Sequence, residues 1–211
     1  MIICMSDVIC VTNRRLCEDD FLDRLETIAA ARPRAVILRE KDLPEQEYRE
    51  LARQALEICG KYRVPCMLHS FVHTAKALHT RAIHLPLPLL RTMTAEERAW
   101  FTVLGASCHS VEDALEAEKL GCTYLTAGHI FDTDCKRGLP GRGLDFLRTV
   151  CGAVSIPAYA IGGVTAENYS AVRQAGAAGA CVMSGLMRCA DPAAFMLEWK
   201  MRLWQSCTSP L

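Results

Sequence analysis

Short apolar runs alternate with helical patterns from one end of the chain to the other. The runs are Val8–Thr12, Ala35–Arg39, Cys66–Ser70, Ala82–Leu85, Thr102–Ser107, Tyr124–His129, Ala158–Ile161 and Ala180–Met183. Each is rich in β-branched or small apolar residues and lacks clean polar alternation, which is the pattern of strands buried on both faces. Between the runs, Phe21, Leu22, Leu25, Ile28 and Ala29 recur at helical spacing, and so do Tyr48, Leu51, Ala52, Ala55, Leu56 and Cys59. The second of these helices opens near Pro44 and closes at Gly60. Ser110 is placed to cap a helix that stops at Gly121, and Thr165 one that stops at Gly176. Asp191-Pro192 opens a last helix, at about 191–205, carrying Phe195, Trp199 and Trp204.

Eight such runs separated by helices predict a parallel sheet. The number eight points to one α/β domain over residues 1–211, a (β/α)8 TIM barrel near the lower size limit of that fold. The rival is an open, doubly wound sheet. No linker, solenoid repeat or low-complexity segment divides the chain.

In a (β/α)8 barrel the chemistry lies at the C-terminal ends of the strands. The second run ends in Arg39 and Lys41, two cations able to hold an anion or simply a solvated charge cluster. The third ends near His69 and His73. Their spacing suits helical metal ligands, but one residue closes a strand and the other opens a helix, so surface or satisfied histidines are the expectation. The fourth ends "IHLPLPLL", in which nothing after His84 offers the oxygen ligands that Mg²⁺ requires. In the fifth, His109 and Ser110 read as helix entry and cap. The seventh and eighth end in Gly162-Gly163 and in Met183, Ser184 and Gly185. Glycine turns there let backbone approach an anion, and barrels of this kind build phosphate sites from those two loops. The sixth ends in "GHIF", with His129 at the rim and Lys136 and Arg142 in the loop beyond. An imidazole titrates near neutrality and both removes and returns protons, and nearby cations stabilise the charge that develops.

Composition narrows the partners. Lys plus Arg equal Asp plus Glu at 24 each, so no basic face for nucleic acid or anionic membrane is expected. No apolar run approaches the ~20 residues of a membrane span. The apolar N-terminus lacks a basic flank and reads as a strand rather than a signal peptide. The chain has 12 cysteines but no CxxC pair, so reduced core thiols in a cytoplasmic protein are expected.

The stretches "LREKDL", "GASCHSVEDALEAEKLGCTYLTAGHIF", "TDCKRG" and "AIGGVTAENYSAVRQAGAAGACVMSG" resemble, in order and spacing, the thiamin phosphate synthase/TenI superfamily over roughly residues 8–188. The resemblance implies a (β/α)8 barrel that binds a thiazole phosphate, with the phosphate on Gly162, Gly163, Met183, Ser184 and Gly185. In the synthase branch a pyrimidine diphosphate is joined to that thiazole, with Mg²⁺ held by aspartates after the third and fourth strands. This chain has His69-Ser70 and "HLPLPLL" at those places, and Ile37 where the synthase has glutamine. The pattern "GHxFxTDCKxGxxGRG" is similar instead to the thiazole tautomerase (TenI) branch. That likeness implies an isomerase, cofactor- and metal-free, in which His129 shifts a proton in a carboxythiazole phosphate. Arg39, Lys41, Thr133 and Lys136 become the substrate contacts, the cations being candidates for its carboxylate. The alternatives are thiamin phosphate synthase and a non-catalytic phospho-ligand-binding regulator. A small-molecule partner and a possible homo-oligomer complete the expectation.

Overall fold

The computed structural model describes residues 7–133 and 138–208, the last six by backbone alone. Its strands are β1 (Val8–Val11), β2 (Ala35–Leu38), β3 (Cys66–His69), β4 (Ala82–Pro86), β5 (Val103–Cys108), β6 (Tyr124–Gly128), β7 (Ala158–Ile161) and β8 (Gly179–Val182). Every neighbouring pair is parallel, and β8 pairs back onto β1 with Ile9 opposite Cys181, so the sheet closes into a barrel. The expected TIM barrel is the observed fold, and each strand lies within one residue of its apolar run. The open sheet is excluded by the β1–β8 ladder.

The helices are α1 (Phe21–Ala30), α2 (Glu45–Lys61), α3 (Val72–Ala77), α4 (Leu87–Thr92), α5 (Ala95–Ala99), α6 (Val111–Lys119), α7 (Gly143–Ala153), α8 (Tyr169–Gln174), α9 (Ser184–Arg188) and α10 (Pro192–Thr208). Ser110 caps α6 by accepting from Asp113 N–H. The helix expected after Thr165 starts later, at Tyr169. Asn168 accepts from Thr165 N–H and donates to Gly163 O, which spends the intervening residues on a turn.

Two apolar layers follow from the strand pleat. Val8, Cys10, Val36, Leu38, Leu68, Ile83 and Leu85 face outward and pack with the helices in the main core. Ile9, Val11, Ala35, Ile37, Met67, Tyr124, Tyr159 and Cys181 face inward and fill the barrel. Tyr124 fits because its neighbour on β5 is Gly105, where an added methyl would lie 2.2 Å from the Tyr124 ring. The fit carries the Tyr124 hydroxyl across the barrel to His84 on β4. The nine cysteines whose side chains are described are free, and burial pushes the Cys108 and Cys122 thiols up to about 12. No helix among the described residues is long and apolar enough to cross a membrane.

Candidate active site

A cavity of about 570 Å³ opens at the C-terminal rim of the barrel, within the roughly 300–1,000 Å³ typical of small-ligand sites. It collects the candidates from six strand ends: Arg39 and Lys41, His69, His84, His129 with Thr133, Gly162 and Gly163, and Met183, Ser184 and Gly185. Lys136 and Cys135 lie outside the described residues. Arg142 is turned away, its guanidinium over the Phe146 ring, while its N–H donates to His129 O. His73 sits exposed on α3, separate from the buried His69.

β6 delivers His129 to the rim, where the residue is 6% exposed. Ile130 N–H donates to Ile161 O and Phe131 N–H to Gly162 O, which fixes the chain after β6 against β7. The ring's Nε2 lies 3.2 Å from Leu139 O, and its Nδ1 is buried with no protein partner. A carbonyl only accepts, so in the neutral ring Nε2 carries the hydrogen and Nδ1 presents a lone pair. A buried polar atom without a partner is uncommon in a folded protein and sets this ring apart from His69 and His84. Gly162 (φ 94°) permits this packing, since an added methyl would lie 2.3 Å from His129 Cβ.

Arg39 and Lys41 reach the same mouth although β2 ends at Leu38. Between them Glu40 turns the other way. Its carboxylate is 1% exposed and accepts from Thr12 Oγ1 at 2.6 Å and from Arg14 N–H at 3.0 Å. Thr12 Oγ1 in turn accepts from Arg39 N–H at 2.9 Å, tying the cation's backbone to β1. Arg14 continues outward to Asp42 at 2.6 Å, and this hydrogen bond is the main reason the Asp42 carboxyl is pulled down to about 2.

His69 and His84 form the floor of the mouth, their rings stacked with centroids 5.8 Å apart. His84 uses both nitrogens, one with Tyr124 OH and one with Ser107 Oγ, each at 2.9 Å. His69 Nδ1 pairs with Ser70 Oγ at 2.7 Å. Burial pulls the His69 imidazolium down to about 2, helped by repulsion from His84 whenever that ring is protonated and by the charges of Lys41 and Arg39. Burial, then Lys41, pulls His84 down to about 3. Both rings are therefore neutral at physiological pH.

Sequence reasoning put Ser107 and His109 near the mouth without a role there, and missed Thr126 and α10. His109 does enter α6, its N–H donating to Asp113, but its ring also lines the cavity with Nδ1 2.9 Å from Gly128 O. Ser107 and Thr126 line the wall from inside the barrel. Phe195, Glu198 and Trp199 of α10 also line the cavity, with the Phe195 ring beside Gly185. Strand alternation could have found Thr126, since Ser107 and Thr126 share the inward face with Gly105 and Tyr124. No local signal marks α10 as part of the mouth.

The divalent cation implied by the synthase resemblance does not fit the ends of β3 and β4. Mg²⁺ takes hard oxygen ligands. The only side-chain oxygen at these two ends is the Ser70 hydroxyl, already paired with His69. Among the described residues no cluster of three or more His, Cys, Asp or Glu side chains could hold a metal. The cavity's carboxylates, Glu167 and Glu198, are elsewhere, each 3.9 Å from the Arg202 guanidinium.

Fold and site together define a (β/α)8 barrel with glycine turns and cations gathered at its C-terminal rim. The chain belongs to the thiamine monophosphate synthase (TMP-TENI) family, whose model matches residues 8–186. It is 36% identical over 187 residues to thiamine-phosphate synthase 2 of Streptococcus pneumoniae, covering 86% of this chain and 87% of that one. It is 31% identical over 183 residues to a thiamine-phosphate synthase of Clostridium acetobutylicum, covering 84% and 85%. A solved thiamine phosphate pyrophosphorylase from Pyrococcus furiosus superposes with a TM-score of 0.81 at 29% identity, covering 96% of each chain.

These likenesses correct the expected isomerase. Relatives that match most of the chain at 31–36% identity are named synthases, which are transferases. The isomerase rested on one histidine after β6 and on substitutions after β3 and β4. A side chain at one strand end does not set the reaction class of a barrel that hosts many.

Proposed function

We propose that the protein binds a thiazole phosphate in the barrel mouth and joins it to a pyrimidine diphosphate with release of pyrophosphate, as a thiamine-phosphate synthase. The observation that carries the reading is the convergence on one cavity of two anion-holding elements. Gly162, Gly163, Met183, Ser184 and Gly185 are proposed to cradle the thiazole phosphate, and Arg39 and Lys41 to face the diphosphate. Thr133 and Lys136 are proposed as further contacts from the β6 loop. Cations fixed at the leaving group stabilise the charge that grows there, and such electrostatic stabilisation is commonly the largest catalytic contribution. The His129 ring, which lines the cavity, is proposed to orient the substrate by contact, and the Ser107 hydroxyl, held by His84, by a hydrogen bond. Membership of the family and the synthase names of its relatives support the reading.

A second reading, a phospho-ligand-binding protein without turnover, is favoured by Ser70 and by the leucines and prolines after His84, which stand where the synthase resemblance implies carboxylates. Mass spectrometry of the protein mixed with both substrates, with and without Mg²⁺, separates the two. The coupled pyrimidine–thiazole phosphate should accumulate over many turnovers. Tight binding of both substrates with no coupled product would leave the second reading standing.

A further inference from the structure

We infer that the mouth binds the diphosphate group through Arg39 and Lys41 with no divalent cation between them. The inference rests on the diphosphate subsite proposed above and says how that subsite is charged.

Three observations carry it. First, the cations are already in the cavity: Arg39 and Lys41 line it beside His69 and His84. Second, the only carboxylate between the two cations is committed elsewhere. Glu40 is turned from the mouth into a buried pocket, where Thr12 and Arg14 hold it. It therefore neither neutralises the cations locally nor offers a metal ligand to the cavity. Third, the two rings beside them, His69 and His84, are neutral and carry no ligating carboxylate. His84 is bonded at both nitrogens and His69 at one. Burial is the main reason that His69 stays neutral, with Lys41 and Arg39 adding to it, so the positive charge on this side of the mouth comes from those two side chains. A diphosphate brings the opposite sign. Guanidinium and ammonium groups bind phosphate oxygens through charge-assisted hydrogen bonds, which are among the stronger ones available to side chains.

The test is calorimetric titration of inorganic pyrophosphate into the full chain, once in EDTA and once in excess Mg²⁺, scored against free pyrophosphate. Saturable binding in EDTA, no weaker than about threefold relative to Mg²⁺, is expected. Arg39→Met and Lys41→Met should each weaken binding in EDTA by about tenfold, the loss expected for one charge-assisted contact. Both positions lie at the rim, so the variants should melt with the parent, and a circular-dichroism melt checks this. Binding that needs Mg²⁺, or affinity in EDTA indifferent to both substitutions, overturns the inference. The outcome is separable from that of the transferase reading. A protein that binds pyrophosphate in EDTA yet forms no coupled product upholds this inference and removes the reading. One that forms product and binds pyrophosphate only with Mg²⁺ does the reverse.

Discussion

One missing methyl group at Gly162 lets the chain after β7 run against His129. The residue sits at φ 94°, and a methyl there would lie 2.3 Å from His129 Cβ. Gly162→Ala combines backbone strain with a clash against the Cβ and Cα of the buried His129, and should cost about 1–3 kcal/mol. Urea denaturation reads this directly; a loss below a few tenths of a kcal/mol would mean that the turn relaxes freely. The Gly162-Gly163 pair was legible in the sequence because both glycines are adjacent and close an apolar run. Gly105 was not, because the side chain that needs its space, Tyr124, lies on the next strand. His109 was half legible: its helix-entry role is local, whereas its bond to Gly128 O depends on strand neighbours.

At the scale of elements, the loop after β2 is held by a strut that crosses to β1. Thr12 and Arg14 deliver donors to the buried Glu40, and Thr12 also receives Arg39 N–H. Glu40→Gln keeps the shape but turns an acceptor-only group into one that also donates toward Arg14 N–H or Thr12. It should destabilise the fold by about 1–3 kcal/mol and weaken ligand binding through Arg39. The checks are a denaturation curve and a titration with pyrophosphate; an unchanged stability would show that the strut is not needed. In the sequence "REKDL" reads as a charge cluster, since the partners of Glu40 stand 26 and 28 residues away. The late start of α8 was equally hidden, because it depends on Asn168 folding back onto Gly163 and Thr165. The strands themselves were legible to within a residue because burial on both faces leaves them continuous and apolar.

Across the whole molecule, His69 and His84 tie the barrel interior to pH. Both imidazoles are held well below the ordinary 6.5 by burial, with His84, Lys41 and Arg39 acting on His69 and Lys41 on His84. The unfolded chain therefore binds more protons than the folded one as pH falls below 6.5. Their stability contribution is intact above that value and is lost as pH drops toward 3. Between pH 7 and 5 each ring should cost about 2 kcal/mol of stability. The His84→Gln variant should lose less over that interval than the parent, as measured by urea midpoints at the two pH values. Equal losses would show that His84 carries a proton in the native state. The barrel and the family were legible because they are distributed over nearly the whole chain. The reaction class was not, because it had been drawn from His129 and a few substituted positions, and the relatives point to a transferase instead.

Every reading of the site depends on a thiazole phosphate seating its phosphate on the turns after β7 and β8. The direct measurement is a ³¹P-NMR titration of that ligand into the protein and into Ser184→Glu, where an exposed side chain places a negative charge at the turn. Saturable binding to the parent, weakened about tenfold or more in the variant, is the predicted result. No saturable binding, or equal affinity in the two proteins, would contradict the account.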